Sequence, residues 1–291
     1  MENNVSSDLR DLIYERIKKH YHTRIAYLGP EGSFTHEVVM TLFQGECVSC
    51  NSISQVFKLV SSESVDYGVV PLENSLEGIV NETIDNFFEY HDVNITQCVE
   101  MRIKLCLACP DDVEKVEDIE KIYTHPHAYA QARSYLTRFK NVDIILTSST
   151  AKALEHVKKT SKACAIASKR GALMRGLKII EENIEDKPSY TRFVILSKKS
   201  SKTGNKTSII FTVENKPGSL YNALEPFSRN RINLSMIYSR PTRTKPWEYY
   251  FYMDLEANLE DVACVKAINE FKSRVSFMRI LGSYSIIKLE T

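Results

Sequence analysis

From Arg24 to Ala167, short apolar runs alternate with stretches of helical periodicity, and this alternation narrows the possible folds more than any other feature. Ile25–Leu28, Tyr67–Pro71, Ile122–Thr124, Val142–Leu146 and Ala163–Ala167 have the length and composition of buried strands. Between them Thr35–Phe43, Ser54–Val60, Ile79–Tyr90, Ala128–Phe139 and Ala151–Lys158 carry apolar residues at helical spacing, and Asn94–Cys109 reads as extended chain. The pattern predicts α/β architecture with mostly parallel sheet. It stops at Ser197–Lys206, ten residues without an apolar side chain, which read as a linker. Beyond the linker the order becomes β-α-β-β-α-β: strand 208–213, a helix opened by Pro217-Gly218, strands around Leu234–Tyr238 and Tyr250–Asp254, a helix over Val262–Phe271, and a last strand over Phe277–Ile287. That order predicts a ferredoxin-like unit with exposed faces suited to self-pairing.

A length of 291 residues fits two units rather than one. Lys+Arg 38 against Asp+Glu 37 gives a net charge of +1, which removes the electrostatic case for nucleic acid or an anionic membrane surface. No apolar run is long enough to span a bilayer. Residues 1–22 mix acids and bases, lack a signal-like apolar core, and place Leu9, Leu12, Ile13 and Ile17 at helical spacing; a short docking helix and a cytoplasmic location are expected. Seven cysteines, an odd number, suggest reduced thiols. Cys47/Cys50 and Cys106/Cys109 have zinc-like spacing, but an offset of three on a strand turns the second pair to opposite faces, so four core or half-buried thiols are expected and no metal. No glycine-rich phosphate loop follows a strand, so no nucleotide cofactor is expected either.

Candidate chemistry gathers where strands end, the usual ligand position in open α/β sheets. Leu28–His36 offers a turn with Gly29 and Gly32, then Ser33 or Thr35 as a helix cap, a ready carboxylate site. Glu73-Asn74-Ser75 closes another strand with more polar groups than capping needs. Thr124 ends a third strand, with Gln131 about one turn into the helix that follows. His125 and His127 flank a proline without an acidic neighbour in sequence, a poor metal pattern. Leu146–Ala151 is another hydroxyl-rich corner. Finally, Thr191 is a lone hydroxyl in the apolar strand Ser189–Leu196, where Thr191, Phe193 and Ile195 face one way and Arg192, Val194 and Leu196 the other. A buried threonine needs a partner, protein or substrate. These corners describe a cleft of neutral hydrogen-bonding groups, without a nucleophile–histidine pair or a metal.

Those segments, in that order, resemble prephenate dehydratase with a regulatory ACT domain behind it: Gly29-Pro-Glu-Gly-Ser-Phe34, Gly68-Val-Val-Pro-Leu-Glu-Asn-Ser75, His125-Pro-His-Ala128 leading to Gln131, Ser149-Thr-Ala151 and Thr191-Arg-Phe193. In the tail, Pro217-Gly-Ser-Leu-Tyr221, Ile232-Asn-Leu234, Ser239-Arg-Pro241 and Trp247-Glu-Tyr249 resemble the phenylalanine-sensing module. The resemblance runs from about Arg24 to the C-terminus. It departs from the family pattern at Ser189, where asparagine is usual, at Tyr238, where glutamate is usual, and at Gly218-Ser-Leu-Tyr221.

What the resemblance implies is conversion of prephenate to phenylpyruvate with loss of water and carbon dioxide, in a two-lobed catalytic domain like periplasmic binding proteins, without cofactor or metal. The division it implies is an N-terminal extension over 1–22, a catalytic domain over 23–199 (one lobe about 23–101 and 182–199, the other about 102–181), a linker over 200–206 and an ACT domain over 207–291. The extension is too short for the chorismate mutase domain fused to some members. Implied catalytic residues are Thr191, Asn74, Gln131, Thr124 and Glu73; Thr191 would donate to the departing hydroxyl. Ser33, Ser75, Ser149, Thr150, Arg192 and Phe193 would bind substrate, although strict alternation favours an ion pair for Arg192 unless a bulge turns it. Phenylalanine would bind through Asn215, Gly218, Ser219, Leu220, Tyr238, Ser239 and Arg240, in a homodimer or homotetramer. Arogenate dehydratase, and a non-catalytic amino-acid sensor of the same shape, are the alternatives.

Overall fold

The computed structural model describes residues 23–113 and 115–289; the helix expected in 1–22 lies outside them. Two α/β lobes and a C-terminal domain each centre on one sheet. In the first lobe β1 (Arg24–Leu28) lies between β2 (Glu46–Cys50) and β3 (Tyr67–Asn74), all parallel. Next to β3 lies β11 (Ser189–Ser197), antiparallel, and then β5 (Asn94–Ile103), antiparallel to β11. The short β4 (Gly78–Ile79) folds back on the end of β3. In the second lobe the order is β10 (Lys178–Glu182), β6 (Cys106–Cys109), β9 (Ala163–Ala167), β7 (Lys121–Thr124) and β8 (Asp143–Leu146), with β6 and β10 antiparallel to their neighbours. Both sheets are therefore mixed, where a mostly parallel arrangement was expected. The cause is topological: the chain crosses between lobes twice, after β5 and before β11, and each return strand enters in reverse.

Helices α1 (Phe34–Leu42), α2 (Ile53–Ser61), α3 (Asn81–Glu89) and α6 (Thr150–Val157) cover these sheets. Between them in sequence, the helix expected over 128–139 is two pieces, α4 (Pro126–Gln131) and α5 (Arg133–Leu136), broken at Ala132. Short α7 (Lys169–Leu173) and the edge strands β2 and β10 lacked a clear apolar signal. One apolar cluster joins the facing surfaces of the two lobes, including Val99, Met101, Ile122, Ile166 and Phe193. No described helix is long and apolar enough to cross a membrane.

The C-terminal domain has sheet order β13 (Leu234–Pro241), β14 (Tyr249–Leu255), β12 (Lys206–Thr212), β15 (Phe277–Tyr284), with α8 (Ser219–Arg229) and α9 (Val262–Lys272) on one face. Its other face is not free for self-pairing, as first expected. Ile210, Tyr250, Tyr252, Leu281 and Tyr284 are buried against Phe57, Phe87 and Ile95 of the first lobe. A last strand, β16 (Ile286–Leu289), leaves the domain and pairs in parallel with β5, extending the sheet of the first lobe. Between these layers Ser208 Oγ meets both Tyr252 Oη and Tyr284 Oη, and Lys206 Nζ lies 2.9 Å from Asp254 Oδ2.

The cysteines correct another expectation. Cys109 is not a free thiol; it forms a disulfide with Cys164, opposite it on β9 at a Cα separation of 4.4 Å. Local spacing could not reveal a partner 55 residues away. Cys47, Cys50, Cys98, Cys106 and Cys264 are free.

Candidate active site

The cleft between the lobes encloses about 440 Å³. Thr191 is on its wall, 9% exposed, and its surroundings are set by Asn74 on the neighbouring strand. Asn74 Oδ1 accepts from the backbone N–H groups of Leu76 and Glu77 at 2.9 and 3.0 Å. That fixes the orientation of the amide. Its nitrogen therefore faces β11, donating to Ser189 Oγ at 3.0 Å and to Thr191 Oγ1 at 2.9 Å. All four hydrogen-bonding positions of Asn74 are filled. Because Thr191 accepts this bond, its own hydrogen remains to be donated into the cleft. Ser189, fully buried, fills the place left by the usual asparagine by taking the second amide hydrogen.

Two helix N-termini open on the same space. Ser33 caps α1, accepting from the His36 N–H at 3.3 Å, and Ser149 caps α6, accepting from the Lys152 N–H at 3.0 Å. Ser33, Phe34 and Thr35 line one side and Ser148, Ser149 and Thr150 another. The first N–H groups of each helix have no intrahelical partner and favour negative charge. Gln131 and Phe193 complete the group of expected residues on the lining. Among the described lining residues the ionisable side chains are Glu77, His125 and His127; there is no lysine or arginine. Glu77 from the first lobe and His127 from the second approach to 3.6 Å. His125 is lowered from its ordinary pKa by burial and by His127, against the pull of Glu77.

Four expected residues stand elsewhere. Arg192 shares a row with Glu73 and Glu100 on adjacent strands, and bonds them at 3.2 and 2.9 Å. Glu73 and Arg192 thus neutralise each other outside the cleft lining, within one lobe; the bulge beside them falls in β3, at Leu72, and leaves Arg192 turned away from the cleft. Ser75 staples its turn to β11, its N–H donating to the Tyr190 carbonyl and its hydroxyl accepting from the Tyr190 N–H. Thr124 is fully buried behind the lining and donates to the His125 carbonyl at 3.4 Å.

His36 was overlooked. Its Nδ1 accepts the Gly32 N–H at 3.1 Å and so shapes the turn before Ser33. Gly32 itself has φ +83°, a conformation that glycine adopts without strain. The second lobe closes on this turn: Ser168 Oγ donates to the Gly32 carbonyl and Arg175 to the Glu31 carbonyl, at 3.3 and 2.8 Å. A Cβ on Gly171 would stand 2.5 Å from the Gly32 carbonyl oxygen, so glycine permits the approach. The histidine had no sequence signal beyond its position four residues after a glycine.

In the C-terminal domain Asn215, Ser219 and Leu220 line a cavity of about 700 Å³ that Phe88 and His91 of the first lobe also line. Gly218, at φ +82°, starts α8 just beside them. Tyr238 and Arg240 were expected in an effector site but point at α3, because alternation along β13 turns them to the face packed on the first lobe, while Ser239 is exposed on the other.

Residues 25–201 match the family model for prephenate dehydratase, and residues 207–272 that for the ACT domain. A bifunctional chorismate mutase/prephenate dehydratase of Aquifex aeolicus is 40% identical over 281 residues, covering 94% of this chain and 77% of that protein. A prephenate dehydratase of Lactococcus lactis is 36% identical over 281 residues, covering 91% and 99%. The crystal structure of prephenate dehydratase from Arthrobacter aurescens in complex with L-Phe superposes with a TM-score of 0.83 at 29% identity, covering 90% of each chain. With more than half its length in one family model, the chain belongs to the prephenate dehydratase family and carries an ACT domain behind its catalytic lobes.

Proposed function

We propose that this prephenate dehydratase works through the Thr191 hydroxyl, with Asn74 as its orienting group and the two helix N-termini as seats for the substrate carboxylates. Prephenate carries a carboxylate and a hydroxyl at opposite ends of a cyclohexadiene ring. When the ring–carboxylate bond breaks, carbon dioxide departs and the electron pair moves through the ring to expel the hydroxyl oxygen. The Thr191 proton goes to that oxygen, water leaves, and the ring becomes aromatic. The threonine oxygen, still bonded by the Asn74 amide, recovers its proton from solvent. No electron donor or acceptor enters the balance. A positioned donor of this kind contributes about 10²–10⁴-fold, and preorganised dipoles around developing charge add to it.

The observation that carries this reading is the filled hydrogen-bond set of Asn74, which leaves Thr191 a donor facing the cleft. Gln131, Ser33, Ser149, Thr150 and Phe193 would position the substrate. Phenylalanine would act as feedback inhibitor in the cavity lined by Asn215, Ser219 and Leu220; the Arthrobacter prephenate dehydratase being in complex with L-Phe supports phenylalanine as the ligand. Edge strand β13, which among the described residues pairs only with β14, offers a second copy a pairing surface. The test is phenylpyruvate formation by purified protein given prephenate, beside the rate with arogenate, each with phenylalanine titrated in. Turnover of prephenate, suppressed by phenylalanine, is expected. Faster turnover of arogenate would reassign the substrate, and binding without turnover would make the chain a sensor.

A further inference from the structure

Helix α3 belongs to the catalytic domain, yet the ACT domain grips it along its whole length. At its start Tyr238 Oη donates to Asn81 Oδ1 at 3.0 Å. One turn on, the Asp85 carboxylate accepts from Arg240 at 2.8 and 2.7 Å, from Arg243 at 2.9 Å and from Tyr250 Oη at 2.6 Å. Burial alone would raise the Asp85 pKa, but the Arg240 and Tyr250 hydrogen bonds and the two guanidinium charges hold it below its usual value. At the far end Phe88 stacks on Tyr250 at 4.2 Å, and Arg279 donates to the Phe87 and Tyr90 carbonyls at 2.7 and 3.0 Å, and to that of Val93.

The two ends of this helix face two different cavities. Phe88 and His91 line the one that Asn215, Ser219 and Leu220 share. Gly78, Ile79 and Val80, immediately before the helix, line the catalytic cleft. The near end is tied to the strand that carries Asn74: Val80 N–H donates to the Leu72 carbonyl, Thr83 Oγ1 to the Pro71 carbonyl at 2.6 Å, and Gly78 pairs with Asn74 itself. Nine residues at 1.5 Å each make a rod of about 13 Å between the two sites. A ligand that moves Phe88 must also act on Tyr250, and through Tyr250 on Asp85.

We propose that α3 is the element through which an aromatic amino acid in the ACT-domain cavity alters the catalytic cleft, with Asp85 as its positioning residue. Tyr238, Arg240 and Arg243 hold the helix; they do not contact the effector. The inference rests on the effector reading above, and coupling of this kind requires that the ligand bind two settings of the helix unequally.

The test compares the wild-type protein with Asp85→Asn and Tyr238→Phe, measuring phenylalanine binding by calorimetry, prephenate turnover without phenylalanine, and inhibition by it. Binding and basal kcat/KM are expected within about threefold of wild type, while the factor by which saturating phenylalanine lowers kcat/KM shrinks about tenfold or more for Asp85→Asn and about two- to fivefold for Tyr238→Phe, in the range by which substitutions along a coupling route alter it. Inhibition unchanged in both variants, with binding intact, overturns the role of α3. Lack of phenylalanine binding to the wild type overturns the effector reading instead. Should Asp85→Asn fail to fold, Tyr238→Phe, which loses one hydroxyl, decides the matter alone.

Discussion

Thr191→Val is the sharpest test of the catalytic geometry, since valine keeps the branched shape and removes only the hydroxyl. Two consequences separate. Losing the donor to the departing oxygen should lower kcat by about 10²–10⁴-fold, equivalent to about 3–5 kcal/mol of barrier. The cost to stability is much smaller: the Asn74 amide loses one of its two acceptors but borders an open cleft where water can replace it, so about 0.5–1.5 kcal/mol is expected. KM should stay within about threefold, because the carboxylates are seated elsewhere. Thr191→Ser, which keeps the hydroxyl but frees its rotation, should fall between. The assay is initial-rate phenylpyruvate formation across prephenate concentrations, with thermal unfolding of each variant measured in parallel. A valine variant that keeps more than about a tenth of wild-type kcat would refute the donor role.

Ser189→Ala removes one acceptor from the Asn74 amide, and kcat should drop about three- to tenfold, matching about 1 kcal/mol of lost positioning; Ser189→Asn should recover it, and steady-state rates check both. Arg192→Ala leaves Glu73 and Glu100 unpaired and should cost about 1–3 kcal/mol in denaturant unfolding, less than for a fully buried pair; a tenfold rise in KM would instead restore Arg192 to the substrate site. His36 is lowered from its ordinary pKa by burial, against the pull of Glu31 and with Arg170 and Arg175 adding to the lowering, and its Nδ1 must stay unprotonated to accept the Gly32 N–H. The unfolded chain therefore binds the proton more readily, so this stabilisation is complete above about pH 6.5 and is lost as pH falls through the lower folded value. Thermal midpoints taken from pH 7.5 to 5 should fall less in His36→Asn than in wild type, and equal slopes would remove His36 from the account.

Much of this architecture is legible in the residue pattern because strand–helix alternation is local. Thr191, Phe193 and Ile195 do share the face toward the second lobe, as period two requires. What was hidden depends on partners distant in sequence. Reversal of β11 between β3 and β5 turns on the second lobe crossing, and Cys109 meets Cys164 only once β6 and β9 are neighbours. Glu73 looked catalytic because it adjoins Asn74, yet alternation puts it on the opposite face, where Arg192 and Glu100 already stand. Tyr238 and Arg240 looked like effector ligands through their motif, but the face they occupy packs on α3. In each case the residue type was informative, while its neighbour across the sheet was not.

A cleft whose described lining residues include no lysine or arginine suits this reaction for an energetic reason. The substrate is a dianion, and one of its carboxylates leaves as neutral carbon dioxide. A guanidinium clamped on that carboxylate would bind it most strongly before the bond breaks and would lose the interaction as charge moves into the ring. Such binding lowers the ground state more than the transition state and opposes turnover. Helix N-termini and neutral hydroxyls attract the anion more weakly, while Thr191 donates where oxygen charge grows. The strand holding Thr191 does carry an arginine, but Arg192 is turned to the far face and matched by two carboxylates. Bringing a cation into the cleft, as Ser149→Lys would, should therefore lower KM and kcat together, and a variant in which kcat rose would contradict the reasoning.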